Sequence, residues 1–103
     1  MTEPLPIAEC RLDVAGLKEQ RGRYAELARH AAEVTRGSDD LRVRFQPDLD
    51  EGLLQDAIAV ESECCPFFSF GYSRRRRLLT VGVADPKQLP ALDALAFVLT
   101  EGR

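Results

Sequence analysis

Leu41-Arg42-Val43-Arg44-Phe45-Gln46 alternates without a break between large apolar and charged or polar side chains. Successive side chains of a strand point to opposite faces, so this run specifies a strand with one buried and one wet face. The pattern recurs twice. Phe68, Phe70 and Tyr72 alternate with Ser69, Gly71 and Ser73, and Leu79, Val81 and Val83 occupy every second position of a later run. One-faced strands build a sheet that needs a cover on one side only, and helices are the natural cover.

The remaining segments supply that cover. Leu17 to Thr35 has helical spacing, with Tyr24, Leu27, Ala28, Ala31 and Val34 recurring at three- and four-residue steps. Gly37-Ser38-Asp39-Asp40 is a turn that stops it. A second helix is expected from about Asp50 to Cys64, capped by Asp48 or Asp50. It ends there because Pro66 keeps Cys65 out of helical geometry. Asp85-Pro86 opens a last helix whose apolar stripe is Leu92, Leu95, Ala96 and Leu99, and Pro90 splits off its first turn. Arg74 to Arg77 forms the tip of a hairpin between the last two strands. Near the N-terminus, Met1 to Pro6 reads as a loose tail. Ile7 to Leu12 reads as a short strand with Ala8, Cys10 and Leu12 on one side. The expected order is β-α-β-α-β-β-α. This is a two-layer α+β sandwich: a mixed four-stranded sheet with three helices on one face, in a single domain spanning 1–103. If its first two strands are parallel, their crossover is right-handed.

Composition narrows the function. Fourteen basic against 17 acidic residues give a net charge of −3, which argues against a nucleic-acid binder driven by net charge. No stretch reaches the roughly 20 apolar residues of a membrane span, and the N-terminus lacks the pattern of a signal peptide. A cytoplasmic, bacterial-type location is therefore expected. In a reducing compartment, three cysteines point to metal binding, catalysis or inert packing rather than a disulfide framework.

Two of those cysteines, Cys64 and Cys65, are adjacent and close the second helix. At about 100° per residue, Glu61 falls between them, in the middle of the arc that also holds Leu53, Leu54, Ala57, Ile58 and Val60. Glu63 and Asp56 point away. Glu61 is thus a carboxylate aimed at the core, one turn before both thiols. Buried acids are uncommon unless paired, ligated or protonated. Cys10 faces inward from the first strand, so Cys10, Glu61, Cys64 and Cys65 can form one cluster.

Three chemistries compete for this cluster. Cysteine packs as a small hydrophobe, but that leaves the carboxylate without a role. Two or three thiolates with a carboxylate suit zinc, copper(I) or mercury. A closed structural zinc site is disfavoured, because its cysteines are usually spaced by two to four residues and His30, the one histidine, reads as a surface residue. Thiol catalysis would use a cysteine as nucleophile and Glu61 as proton carrier. The end of a helix and a nearby carboxylate both disfavour thiolate, so the setting suits a bound cation better.

The string E-x-x-C-C-P-F-F-x-F, Glu61 to Phe70, resembles a set of small bacterial proteins of this length, some associated with mercury-type resistance regulators. Cys10-Arg11-Leu12, the long Arg-containing helix and the Leu41 to Phe45 strand are similar to that set as well. The resemblance implies heavy-metal handling, with Glu61, Cys64, Cys65 and Cys10 as site residues. Organomercurial lyases offer a looser analogy, two cysteines and a carboxylate, and nothing else in the chain resembles them.

Four like charges at Arg74 to Arg77 read first as a solvated hairpin tip, without the interleaved exposed aromatics that stack on bases. Cys65-Pro66 is also a minimal haem-regulatory pair, a short and common dipeptide. The expected partner is a soft metal ion or a small thiol-reactive ligand, not a membrane or nucleic acid. A homodimer through a strand edge or a shared site is compatible with the sequence. Against a metal-binding protein stand a small thiol-dependent enzyme and a non-catalytic interaction module.

Overall fold

The computed structural model describes residues 14–101. In chain order it contains α1 (Val14–Arg29), β1 (Ala31–Arg36), β2 (Asp40–Phe45), α2 (Glu51–Cys64), β3 (Phe68–Ser73), β4 (Leu78–Val83) and α3 (Leu89–Glu101). The strands form one sheet in the order β1-β2-β4-β3. The expected strand over Ile7–Leu12, with Cys10, and the tail before it lie outside the described residues.

Register follows from the alternation. Leu41 of β2 stands opposite Val81 of β4, which stands opposite Phe70 of β3, and Val43, Leu79 and Tyr72 form the next row. Leu41, Val43, Phe45, Leu79, Val81 and Val83 are buried, whereas Arg42 and Arg44 are exposed. Leu27 and Ala28 of α1, Leu54 and Ala57 of α2, and Leu92, Leu95 and Leu99 of α3 close over that face. Among the described residues this is the two-layer α+β sandwich, with three α-helices and four strands. Burying one such leucine contributes about 1.5–3 kcal/mol.

Two particulars depart from expectation. Every strand pairing is antiparallel, so the sheet is not mixed among the described residues. The first helix stops at Arg29 instead of Thr35, and 31–36 is a strand. The His30 N–H donates to the Leu27 carbonyl at 3.0 Å and the Gln46 N–H to the His30 carbonyl at 2.8 Å, so the chain turns and runs back along β2. A longer helix would leave the N–H and C=O groups on that edge of β2 unpaired, a cost that strand pairing removes. Val34 and Thr35 are β-branched and fit a strand.

The two later helices begin with side-chain caps. The Asp50 carboxylate accepts from the Gly52 and Leu53 N–H groups, a cap worth about 1 kcal/mol. Asp85 does the same for Lys87 at the one-turn 3-10 helix Pro86–Gln88. Pro90 then sits in the first turn of α3, where no N–H is required. Among the described residues no helix is long and apolar enough to cross a membrane.

Candidate metal centre

The site lies where α2 ends. Leu54, Ala57, Glu61 and Cys64 are its buried residues, spaced by three or four along one stripe. Cys65 is the C-cap. Its N–H donates to the Glu61 carbonyl at 2.7 Å, and its backbone leaves helical geometry at φ −130°, ψ 73°. The Cys65 carbonyl then accepts from the Phe68 N–H at 3.2 Å. Pro66 follows Cys65 at a turn position its fixed φ suits. Cys65 is thus pinned between a helix and the first residue of β3, whose Phe68 ring packs against Phe67 and Phe70.

Glu61 is 2% exposed, Cys64 6% and Cys65 0%. One carboxylate oxygen and the two sulfurs lie within 4.8 Å of one another. The sulfurs are 3.9 Å apart. Cys64 is disulfide-bonded in this structure, while Cys65 keeps its thiol. The Cys65 S–H is therefore the donor in the contact between them. Cys10, which the sequence brings to this cluster, lies outside the described residues.

A core carboxylate needs partners, and α1 provides them. The Tyr24 hydroxyl donates to Glu61 Oε1 at 2.7 Å and Gln20 Nε2 donates to the same oxygen at 3.1 Å. Gln20 Nε2 also reaches the Ala57 carbonyl at 2.9 Å, and its Oε1 accepts from Arg23 at 2.8 Å. Gln20 thereby links the buried acid to a part-exposed guanidinium. Burial, then the charge of Glu61, holds the Tyr24 phenol well above its ordinary range, so Tyr24 keeps its proton and remains a donor. Both bonds from α1 fall on Oε1. Oε2 receives none among the described residues.

Glu61, Cys64 and Cys65 thus stand together, on the buried face where the helical wheel sets them. The wheel does not reveal Gln20 and Tyr24. Tyr24 reads there as part of an apolar stripe, and the useful signal is Gln20, a polar residue one turn earlier in the same line. His30 does not join the site. It closes α1, bonded to Asp48 at 3.0 Å and Glu26 at 3.3 Å.

Chemically the site offers two soft sulfurs and one hard oxygen, with negative potential from the carboxylate and from the end of α2. That set is able to hold a metal ion once Cys64 is reduced. The chain matches no family model, no curated protein and no solved structure.

Proposed function

We propose that the protein binds a thiophilic metal or metalloid ion through Cys64 and Cys65, with Glu61 as an oxygen donor or proton acceptor and Cys10 as a third sulfur. The observation that carries this reading is the buried convergence of two sulfurs and a carboxylate within 4.8 Å. The sulfur spacing refines it. With metal–sulfur bonds of about 2.3 Å, two thiolates stand about 3.8 Å apart on a tetrahedral ion and about 4.6 Å apart on a linear one. The 3.9 Å separation, held while Cys64 is bridged, lies near that range, so reduction brings two thiolates together without a large rearrangement.

The test is titration of the reduced protein with mercury(II), zinc(II) and copper(I), followed by thiolate-to-metal absorption. Binding tighter than that of a small dithiol, lost in Cys64→Ser and in Cys65→Ser, is the expected result. Affinity no better than the small dithiol sinks the reading. Glu61→Gln weakens binding if the carboxylate takes part in it. If that variant binds normally and is more stable, Glu61 has no part in holding the ion.

One observation favours a second reading. A Glu61 carboxylate oxygen within 4.8 Å of both sulfurs suits a thiol-dependent enzyme in which one cysteine of the reduced protein attacks and Glu61 receives its proton. That reading requires one thiol of the reduced protein to alkylate unusually fast at neutral pH. Equal, sluggish alkylation of all the thiols counts against it.

A further inference from the structure

On the sheet face turned away from the helices, Arg42 and Arg44 of β2 meet Arg75, Arg76 and Arg77 of the β3–β4 hairpin around a groove of ≈ 500 Å³, with Glu33 of β1 on its rim. Such a volume is typical of small-molecule sites. The antiparallel register explains the convergence. Arg44 stands opposite Leu78, the first residue of β4, and the Phe45 N–H donates to the Arg77 carbonyl at 2.8 Å. The hairpin tip therefore lies beside the end of β2.

Four consecutive arginines do not share one role. Arg74 turns to the helix layer, where it and Tyr72 hold the Glu51 carboxylate at 3.0 and 2.9 Å. Arg42 and Arg44 are partly neutralised by Asp40 and Glu33. Arg77 Nε donates to the Phe45 carbonyl at 3.1 Å, which fixes the direction of its guanidinium. Arg75 and Arg76 are exposed and, among the described residues, have no carboxylate partner. Positive charge in excess of the local carboxylates is thus concentrated at the tip.

Arg77 also has φ 52°, a left-handed conformation in which glycine or asparagine would be less strained. An arginine at that position sets a costly backbone beside a guanidinium that lines the groove, and strain of this kind points to function.

We propose that this groove binds a compact polyphosphate, such as pyrophosphate or the phosphate tail of a nucleotide, through the forks of Arg75, Arg76 and Arg77, with Arg42 and Arg44 as its floor. Guanidinium forks match phosphate oxygens in pairs. The groove has no aromatic lining, so it offers no stacking surface for a base and reads only the phosphates. A long nucleic acid would run off this patch onto a chain whose net charge is −3, and repulsion there favours a short ligand.

Calorimetric titration with pyrophosphate at low ionic strength tests this, with inorganic phosphate and a single-stranded oligonucleotide as comparisons. Saturable binding of pyrophosphate, tighter than orthophosphate and weaker at high salt, is expected. Arg75→Ala with Arg76→Ala lowers the affinity by about tenfold or more without changing the thermal melt. Glu33→Gln raises it, because Arg44 is released. The proposal is overturned if pyrophosphate gives no saturable signal, if the double variant binds like the parent, or if the oligonucleotide binds more tightly than pyrophosphate.

Discussion

The Tyr24 hydroxyl and Glu61 Oε1 are 2.7 Å apart, and both side chains are buried. This bond joins the middle of α1 to the turn of α2 that carries Glu61. It makes a core carboxylate tolerable without an adjacent cation. Removing Glu61 leaves the Tyr24 hydroxyl buried without this acceptor, and removing Tyr24 leaves Glu61 Oε1 with Gln20 as its one remaining donor among the described residues; a loss of this kind costs about 1–3 kcal/mol. Removing both exchanges a polar contact for an apolar one and costs much less. Tyr24→Phe and Glu61→Met should each lower the denaturation midpoint, and the double variant should lose less than their sum. Strict additivity in that cycle would show that the two groups do not depend on each other.

The same bond makes a prediction at high pH. Burial and Glu61 hold Tyr24 well above its ordinary value. Burial and the Glu51 carboxylate raise Tyr72 to about 12. The folded state therefore retains phenolic protons that the unfolded chain releases at about pH 10. Raised folded values mean stability that is complete below about pH 10 and lost as pH climbs towards the folded values. Phenolate absorbance of the native protein should rise later than that of the chain in denaturant, and Tyr24→Phe should remove the later component. A native titration that overlays the denatured one would contradict the buried contact.

The parts of this arrangement legible in the sequence are those set by short-range periodicity. The strand through Leu41, Val43 and Phe45, the Asp50 cap and the stop before Pro66 all follow from local rules. So does the inward direction of Glu61, which needs only a helical wheel. The end of the first helix does not. Ala31 to Arg36 continues the helical spacing without a glycine or proline until Gly37, and pairing with β2 decides its conformation. The partners of Glu61 are equally hidden, because Gln20 and Tyr24 reach it across 41 and 37 residues of chain.

His30 supplies a test away from the site. Its bond to Asp48 is the main cause of a raised pKa; burial opposes that rise, and the bond to Glu26 adds a smaller one. The protonated imidazole is the form both carboxylates favour. Its contribution to stability is complete below the ordinary value of about 6.5 and fades as pH rises through the folded value. Proton NMR of the single histidine should show a titration above that ordinary value, and Asp48→Asn should move it down. No movement in that variant would show that Asp48 is not the main cause.

Cys65 sets the last test, because its sulfur is buried and that of Cys64 is bridged. A sulfur in a disulfide is not a thiolate and cannot take a metal ion as one. The untreated protein should therefore bind mercury(II) or zinc(II) no better than a Cys64→Ser variant does. Mild reduction should create the tighter site. Burial also slows alkylation of Cys65, which then proceeds through transient opening and accelerates in denaturant. Metal bound to the reduced protein should suppress the remaining reactivity, since it both covers the sulfur and stabilises the closed form. Full metal affinity before reduction, or alkylation of Cys65 at the rate of a small free thiol, would be incompatible with a buried site closed by the Cys64 disulfide.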